Sequence, residues 1–285
     1  MGWEAGTVEL AAGVFAYVQA TGGLCVANAG IIAGGDGATV IDALFTPEMT
    51  RSLLAETRRL SPAPIAQLLN THHHVDHTLG NSLFPTETAI VAHARAKEEM
   101  QRVGLGVLDV IKRVAPHFDD ALDGASERLP DVTFEGNVLE LDVSGRRLRL
   151  LHFGTGHTRG DVLVHLPDER LLFVGDVGFF GVTPLGLEGH FGKWIDVCRR
   201  VIDEIDADVL VAGHGPVGTK ADLAKMLGYL ELVHDGARRA FDAGASQREA
   251  VAAIDLGEYA EWVEPERLIP NLARCYQEFA GEIDE

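Results

Sequence analysis

Four of the chain's twelve histidines fall within six residues, in His72-His73-His74-Val75-Asp76-His77. The apolar run Ile65, Ala66, Leu68 and Leu69 leads into them and reads as a buried strand that ends near Asn70 or Thr71. A solvated or tag-like histidine cluster would sit at a terminus, not behind an apolar strand. Alternate residues of an extended segment project to the same side, so His72 and His74 can hold one ion together. Asp76 and His77 follow the turn and can face a second ion nearby. Imidazole and carboxylate without thiolate form a donor set that suits zinc.

The flanking sequence reads as alternating strands and helices. Val14 to Val18 and Cys25 to Ile32 are short apolar runs, separated by Gly22-Gly23 and closed by Gly34-Gly35-Asp36-Gly37. Ala38 to Leu44 reads as a further strand. Thr46 then caps a helix that Pro47 opens and Ser61-Pro62 ends. Strand, helix, strand in this order predicts parallel pairing through a crossover. Ile90 to His93 reads as a strand and Ala94 to Arg102 as a helix. Leu105, Leu108, Ile111 and Val114 have helical spacing up to Pro116, as a packed surface helix or as a wall over a pocket. Strands fill 132–151, with Ser144-Gly145 as the hairpin turn. The segments 162–166 and 170–174 read as two more, the second ending in Gly175-Asp176. An amphipathic helix over 193–205 puts Cys198 in the core. A strand over 208–212 ends in Gly213-His214-Gly215. Helices follow from about Ala221 to Phe241, after the Ser246/Glu249 capping pair, and through Leu272 and Cys275.

A length of 285 residues suits one large α/β domain or one with a small appendage. The formal net charge of −19 disfavours nucleic acid and anionic lipid as partners. Three widely spaced cysteines, Cys25, Cys198 and Cys275, make no disulfide framework. Together with Glu4 and Glu9 where a leader would carry basic residues, they make a cytoplasmic location the expectation. The expected partner is a small-molecule substrate, with neither nucleic acid nor membrane, and homo-oligomers are compatible with the sequence.

With its later strand ends included, the chain resembles the metallo-β-lactamase superfamily. His72-x-His74-x-Asp76-His77 is similar to the family's defining signature. Gly156-His157-Thr158, Gly175-Asp176 and Gly213-His214-Gly215 resemble its later ligand motifs in the right order. The resemblance spans roughly residues 14–235. It implies a four-layer αβ/βα sandwich of two mixed sheets, with a catalytic domain over 1–244 and a short C-terminal helical extension over 245–285 packed on it. By the resemblance, His72, His74 and His157 would bind one Zn2+. Asp76, His77 and His214 would bind the second of the two per chain, and Asp176 would bridge them. Asp76 could also accept a proton in catalysis. Asp42 would orient a ligand histidine, and His190, Phe179 and Phe180 would line the substrate pocket. His73 and Asp161 stand beside ligands without an assigned role.

The expected activity is hydrolysis at an acyl carbon of a β-lactam, lactone, thioester or ester by a metal-bridging hydroxide. A mononuclear iron dioxygenase acting on persulfide-type sulfur is the alternative on the same fold, with His72, His157 and Asp176 as its ligands.

Overall fold

The computed structural model describes residues 3–283, so the outer ends of both expected domains, residues 1–2 and 284–285, lie outside the described residues. The first sheet begins with β1 (Gly6–Ala11), β2 (Val14–Val18), β3 (Ala29–Ile32) and β4 (Ala38–Ile41), each antiparallel to the one before. Helix α1 (Pro47–Leu60) carries the chain to β5 (Ile65–Leu69), which lies parallel to β4 as the crossover reading predicts. Thr46 Oγ1 accepts from Met49 N at 3.2 Å and caps α1, with Pro47 in its first turn. The short helix α2 (Val75–Thr78) follows the histidines. β6 (Ala89–His93) then joins in parallel, and α3 (Ala94–Val103), α4 (Val107–Val114) and β7 (Val132–Phe134) complete this half.

The second sheet contains β8 (Val138–Val143), β9 (Arg146–Leu151), β10 (Leu163–Leu166) and β11 (Leu171–Phe179) as an antiparallel run. The β8–β9 turn is the one expected: Ser144 and Gly145 have φ of 53° and 80°, the two positive values a tight twisted hairpin needs. Helix α5 (Phe191–Glu204) leads to β12 (Val209–His214), parallel to β11, and β13 (Val217–Gly218) closes the edge. The α-helices α6 (Lys220–Asp242), α7 (Gln247–Ala253) and α8 (Leu268–Phe279) follow. Capping boxes start α6 at Thr219/Asp222 and α7 at Ser246/Glu249.

Side chains from both sheets, among them Val14, Ile41, Leu148, Val164 and Phe173, meet in one apolar layer. Outside it, Leu53 and Leu54 of α1 pack with Ile31, Val40 and Leu68 of the first sheet. On the other side Trp194, Val201, Leu230, Val233 and Leu272 pack with Leu172, Val174 and Leu210 of the second. This is the helix–sheet–sheet–helix order of the expected sandwich. Cys198 and Cys275 are buried in the last of these layers, as their helical spacing predicts.

Three elements differ from the sequence reading. Residues 25–28 are not strand: Cys25 takes a φ of 60°, and the Asn28 amide turns to donate to Ala212 O and Gly215 O across the sandwich. The strand expected to reach Leu44 stops at Ile41, because Asp42 and Leu44 have φ of 62° and 64°. β11 does not end at Asp176 but runs on to Phe179, with its register against β12 shifted on either side of Gly175.

Candidate metal centre

β4, β5, β11, β12 and the loop before β10 all end or bulge on the same edge of the sandwich, and each brings a donor there. The side chains of His72, His74, His157 and Asp176 form one group whose potential ligand atoms lie within 4.8 Å of one another, and Asp76, His77 and His214 form another. Asp176 stands between them. Its Oδ2 is 3.9 Å from His72 Nε2, 3.4 Å from His157 Nε2 and 3.3 Å from His214 Nε2, while its Oδ1 is 3.1 Å from His77 Nε2. His74 Nδ1 is 3.0 Å from His157 Nε2, and Asp76 Oδ2 is 3.4 Å from His214 Nε2.

Two glycines permit this crowding. A side chain at Gly213 would place its Cβ 1.8 Å from Asp176 Oδ1. At Gly175, with a φ of 50°, it would strike Thr71 at 2.8 Å.

Asp42 supports the arrangement from behind. Its Oδ1 accepts from Thr71 N at 2.8 Å, and its Oδ2 accepts from Thr71 Oγ1 at 2.7 Å and lies 2.8 Å from His77 Nδ1. His214 Nδ1 is likewise held against Gly22 O at 3.1 Å, and His214 stacks flat on Phe179 with ring centres 4.9 Å apart. Fixing one ring nitrogen in this way aims the other at the cluster. Asp161 accepts from Thr158 N and Thr158 Oγ1 and so braces the turn that carries His157. Its burial pushes its carboxyl up to about 7.

The electrostatics divide the imidazoles. Burial pushes His157 down to about 3 and His72 well below the ordinary histidine value. Burial also opposes charge on His77 and His214, but carboxylates outweigh it there. Asp176, Asp42 and Asp76 lift His77 well above its ordinary value, and Asp176 and Asp76 raise His214 to about 9. Asp76 and Asp176 are held below the usual carboxylate range against their burial, chiefly by the charges of His77 and His214. A field that holds protons on two buried imidazoles is one that attracts cations. His72 Nε2, His77 Nε2 and Asp176 Oδ1 are moreover buried without a hydrogen-bond partner. Imidazole nitrogen, from which a bound metal displaces the proton, and carboxylate oxygen in this number fit a pair of divalent ions, so the two His/Asp clusters are consistent with a dinuclear metal site.

Above the cluster lies a cavity of about 250 Å³. Val107, Val110, Ile111 and Val114 of α4 form one wall, and Leu185 and Leu187, in the loop between β11 and α5, form the other. The 104–125 segment is therefore a wall, the second of the two readings that its spacing left open. Phe179 lines the cavity, but two of its expected companions lie elsewhere. Phe180 follows Phe179 directly, turns to the opposite side and packs toward Gly218. His190 caps α5, where its Nδ1 accepts from Lys193 N at 3.4 Å and faces Glu278 Oε1 at 3.2 Å.

Sequence reading missed Glu188. Its Oε2 lies 2.7 Å from His73 Nε2 and 3.3 Å from His74 Nε2, and these three residues form a third group able to hold a cation. No local pattern announces a partner 114 positions away from His74.

A curated relative, the alpha subunit of 2,4-dinitroanisole O-demethylase from Nocardioides sp. (strain JS1661), is 27% identical over 64% of this chain and 51% of its own length. Hydroxyacylglutathione hydrolase from Maricaulis maris (strain MCS10) is 30% identical over 40% of this chain and 34% of its own. The chain thus spans about half or less of the curated relatives it matches. Among solved structures, the stereoselective inverting sec-alkylsulfatase Pisa1 from Pseudomonas sp. superposes with a TM-score of 0.78 at 21% identity, covering 97% of this chain and 50% of that one. The sequence profile of the Metallo-beta-lactamase superfamily matches residues 22–214, a span that ends on the last of the clustered histidines. On that match and this fold, the chain belongs to the metallo-beta-lactamase superfamily.

Proposed function

We propose that the protein is a dinuclear zinc hydrolase that cleaves an acyl bond (ester, thioester, lactone or lactam) in a small, largely apolar substrate. The observation that carries this reading is the meeting of two donor groups across one Asp176 carboxylate, at the floor of an apolar cavity. His72, His74 and His157 would hold one ion, Asp76, His77 and His214 the other, and Asp176 both. Zinc held by such ligands lowers the pKa of bound water to about 7 and polarises the bond under attack.

The chain's own residues supply the rest. Asp76 lines the cavity, so its carboxylate is placed to accept a proton beside the reacting bond. Val107, Val110 and Ile111 exclude water from that bond and seat the apolar part of the substrate. Asp42, through His77 Nδ1, keeps the ring from turning as charge develops. The Maricaulis relative is named for hydrolysis of an acylated glutathione, which supports an acyl bond. The Pisa1 likeness makes a sulfate ester the competing bond class.

Metal analysis of the purified protein should give about two zinc per chain. A hydrolysis screen over lactam, lactone, thioester, ester and alkyl sulfate substrates should give turnover confined to acyl bonds. Bound iron with oxygen consumption in place of hydrolysis would instead select the dioxygenase alternative.

A further inference from the structure

The loop that forms one cavity wall runs from Phe180 to His190 without helix or strand of its own. Its ends are held where Phe180 N donates to His214 O and His190 N to Gly156 O, both at 3.0 Å, and the backbone bonds between them go to the C-terminal segment. Contact starts ahead of α8, where Val263 N donates to Gly181 O at 3.1 Å and Thr183 N to Val263 O at 3.0 Å. It then passes to four side chains at spacings of four, three and four residues, one stripe along a helix face. Arg267 Nη1 donates to Thr183 O at 2.8 Å. Asn271 Nδ2 donates to Pro184 O at 2.7 Å, and its Oδ1 accepts from Gly186 N at 2.8 Å. Arg274 donates from Nε to Gly189 O at 2.7 Å and from Nη2 to Glu188 O at 3.0 Å. Glu278 accepts from Phe191 N at 2.7 Å and Gly192 N at 3.2 Å, which seats the first turn of α5. Loop and stripe advance in the same direction, residue by residue.

The stripe contacts the loop chiefly through backbone, with Glu278 Oε1 also facing His190 Nδ1 at 3.2 Å, and so fixes the loop's path while leaving the side chains between Thr183 and Gly189 to face the cavity. Those side chains are Leu185, Leu187 and Glu188. Leu187 is 55% exposed, and with Val110 and Val114, 48% and 66% exposed on the same cavity's other wall, it presents a grouped apolar surface that an apolar ligand can cover. The stripe also lies beyond residue 214, where the superfamily match ends. We propose that the stripe Arg267–Asn271–Arg274–Glu278 is a template that sets the shape of the 183–190 wall, and thereby the size of acyl group the cavity accepts. These four are positioning residues, with Arg274 the one whose two donors reach the loop nearest Glu188. The selectivity part of this inference rests on the hydrolase reading; the template part does not.

The test uses the full-length, zinc-loaded protein and the variants Arg274→Met, which keeps the aliphatic bulk and loses both donors, and Arg274→Lys, which keeps one. Amide hydrogen exchange over 183–192 should quicken about tenfold in Arg274→Met, while exchange over 65–77 and the zinc content stay as in wild type. Across aryl esters from acetyl to octanoyl, KM for the longest should rise about tenfold with kcat within about twofold, the signature of lost positioning rather than lost chemistry. Arg274→Lys should fall between wild type and Arg274→Met in both readouts. Unchanged exchange in the loop overturns the template. A loosened loop with the wild-type order of KM values overturns its role in selectivity. Wild-type protein that turns over no ester, thioester, lactone or lactam sinks the hydrolase reading instead, and the exchange comparison then decides the template alone; where another acyl bond than the ester is turned over, the chain-length series is run on that bond.

Discussion

The floor and the walls of the cavity are built by opposite means. The floor is made of residues at or just after the ends of buried strands, and three of its rings are tied from behind by a buried partner: Asp42 behind His77, Gly22 O behind His214, Thr71 Oγ1 at 3.0 Å from His72 Nδ1. The walls are a short helix and a loop. Val110 and Val114 on α4 are 48% and 66% exposed, and the loop has backbone hydrogen bonds mainly to a helix some 85 residues later in the chain. A rigid floor can hold closely spaced charges in place, whereas a wall assembled from separate elements can change without disturbing them.

If that division is right, the largest effects belong to the floor. Asp176→Asn and His74→Ala should each lose bound metal and lower kcat/KM roughly 10³-fold, the scale on which a fixed electrostatic group acts in a transition state. Full activity in either variant would remove the assigned role. Asp42→Asn keeps a residue tolerant of the positive φ but weakens the hold on His77, so metal affinity should fall about 10- to 100-fold in a chelator competition.

Changes in the walls should alter selection alone. Val110→Asp, on the exposed face of α4, should raise KM for apolar substrates about tenfold with metal content intact, the lower end of what pocket contacts contribute. Loss of metal in that variant would erase the distinction between floor and wall.

The smallest expected effect lies outside both. Burial, with the neighbouring charge of His152 in second place, pushes His93 down to about 4, and the two rings stack with centres 4.0 Å apart. A histidine whose folded pKa lies below its unfolded value of about 6.5 takes up a proton more readily when unfolded. Stability should therefore fall as pH drops from about 6.5 toward 4, and His93→Asn should flatten that fall in a denaturation series.

How much of this was legible differs along the same line. The order of strands and helices could be read from strand–helix–strand alternation and from paired signals such as Ser144-Gly145 and Ser246/Glu249, because each acts within a few residues; the four-layer arrangement came from the resemblance to the superfamily. The clustered histidines were legible because His72, His74, Asp76 and His77 share one strand end, and His157, Asp176 and His214 because their glycine-flanked motifs resemble, in order, the later ligand motifs of the superfamily. Glu188 was not legible, nor was the displacement of His190 into the grip of Glu278. The pairing of Arg274 with Glu188 O and Gly189 O joins two segments with no common local pattern.

By itself, then, the sequence determined which atoms can bind a cation and on what scaffold, since period, caps and adjacent donors are properties of short stretches. Which groups face one another across the cavity was decided only by tertiary packing. A hydrogen bond to a backbone carbonyl carries no side-chain signature in the residue that accepts it, and the distance between loop and helix closes only when α8 packs its Leu268, Leu272 and Cys275 into the core.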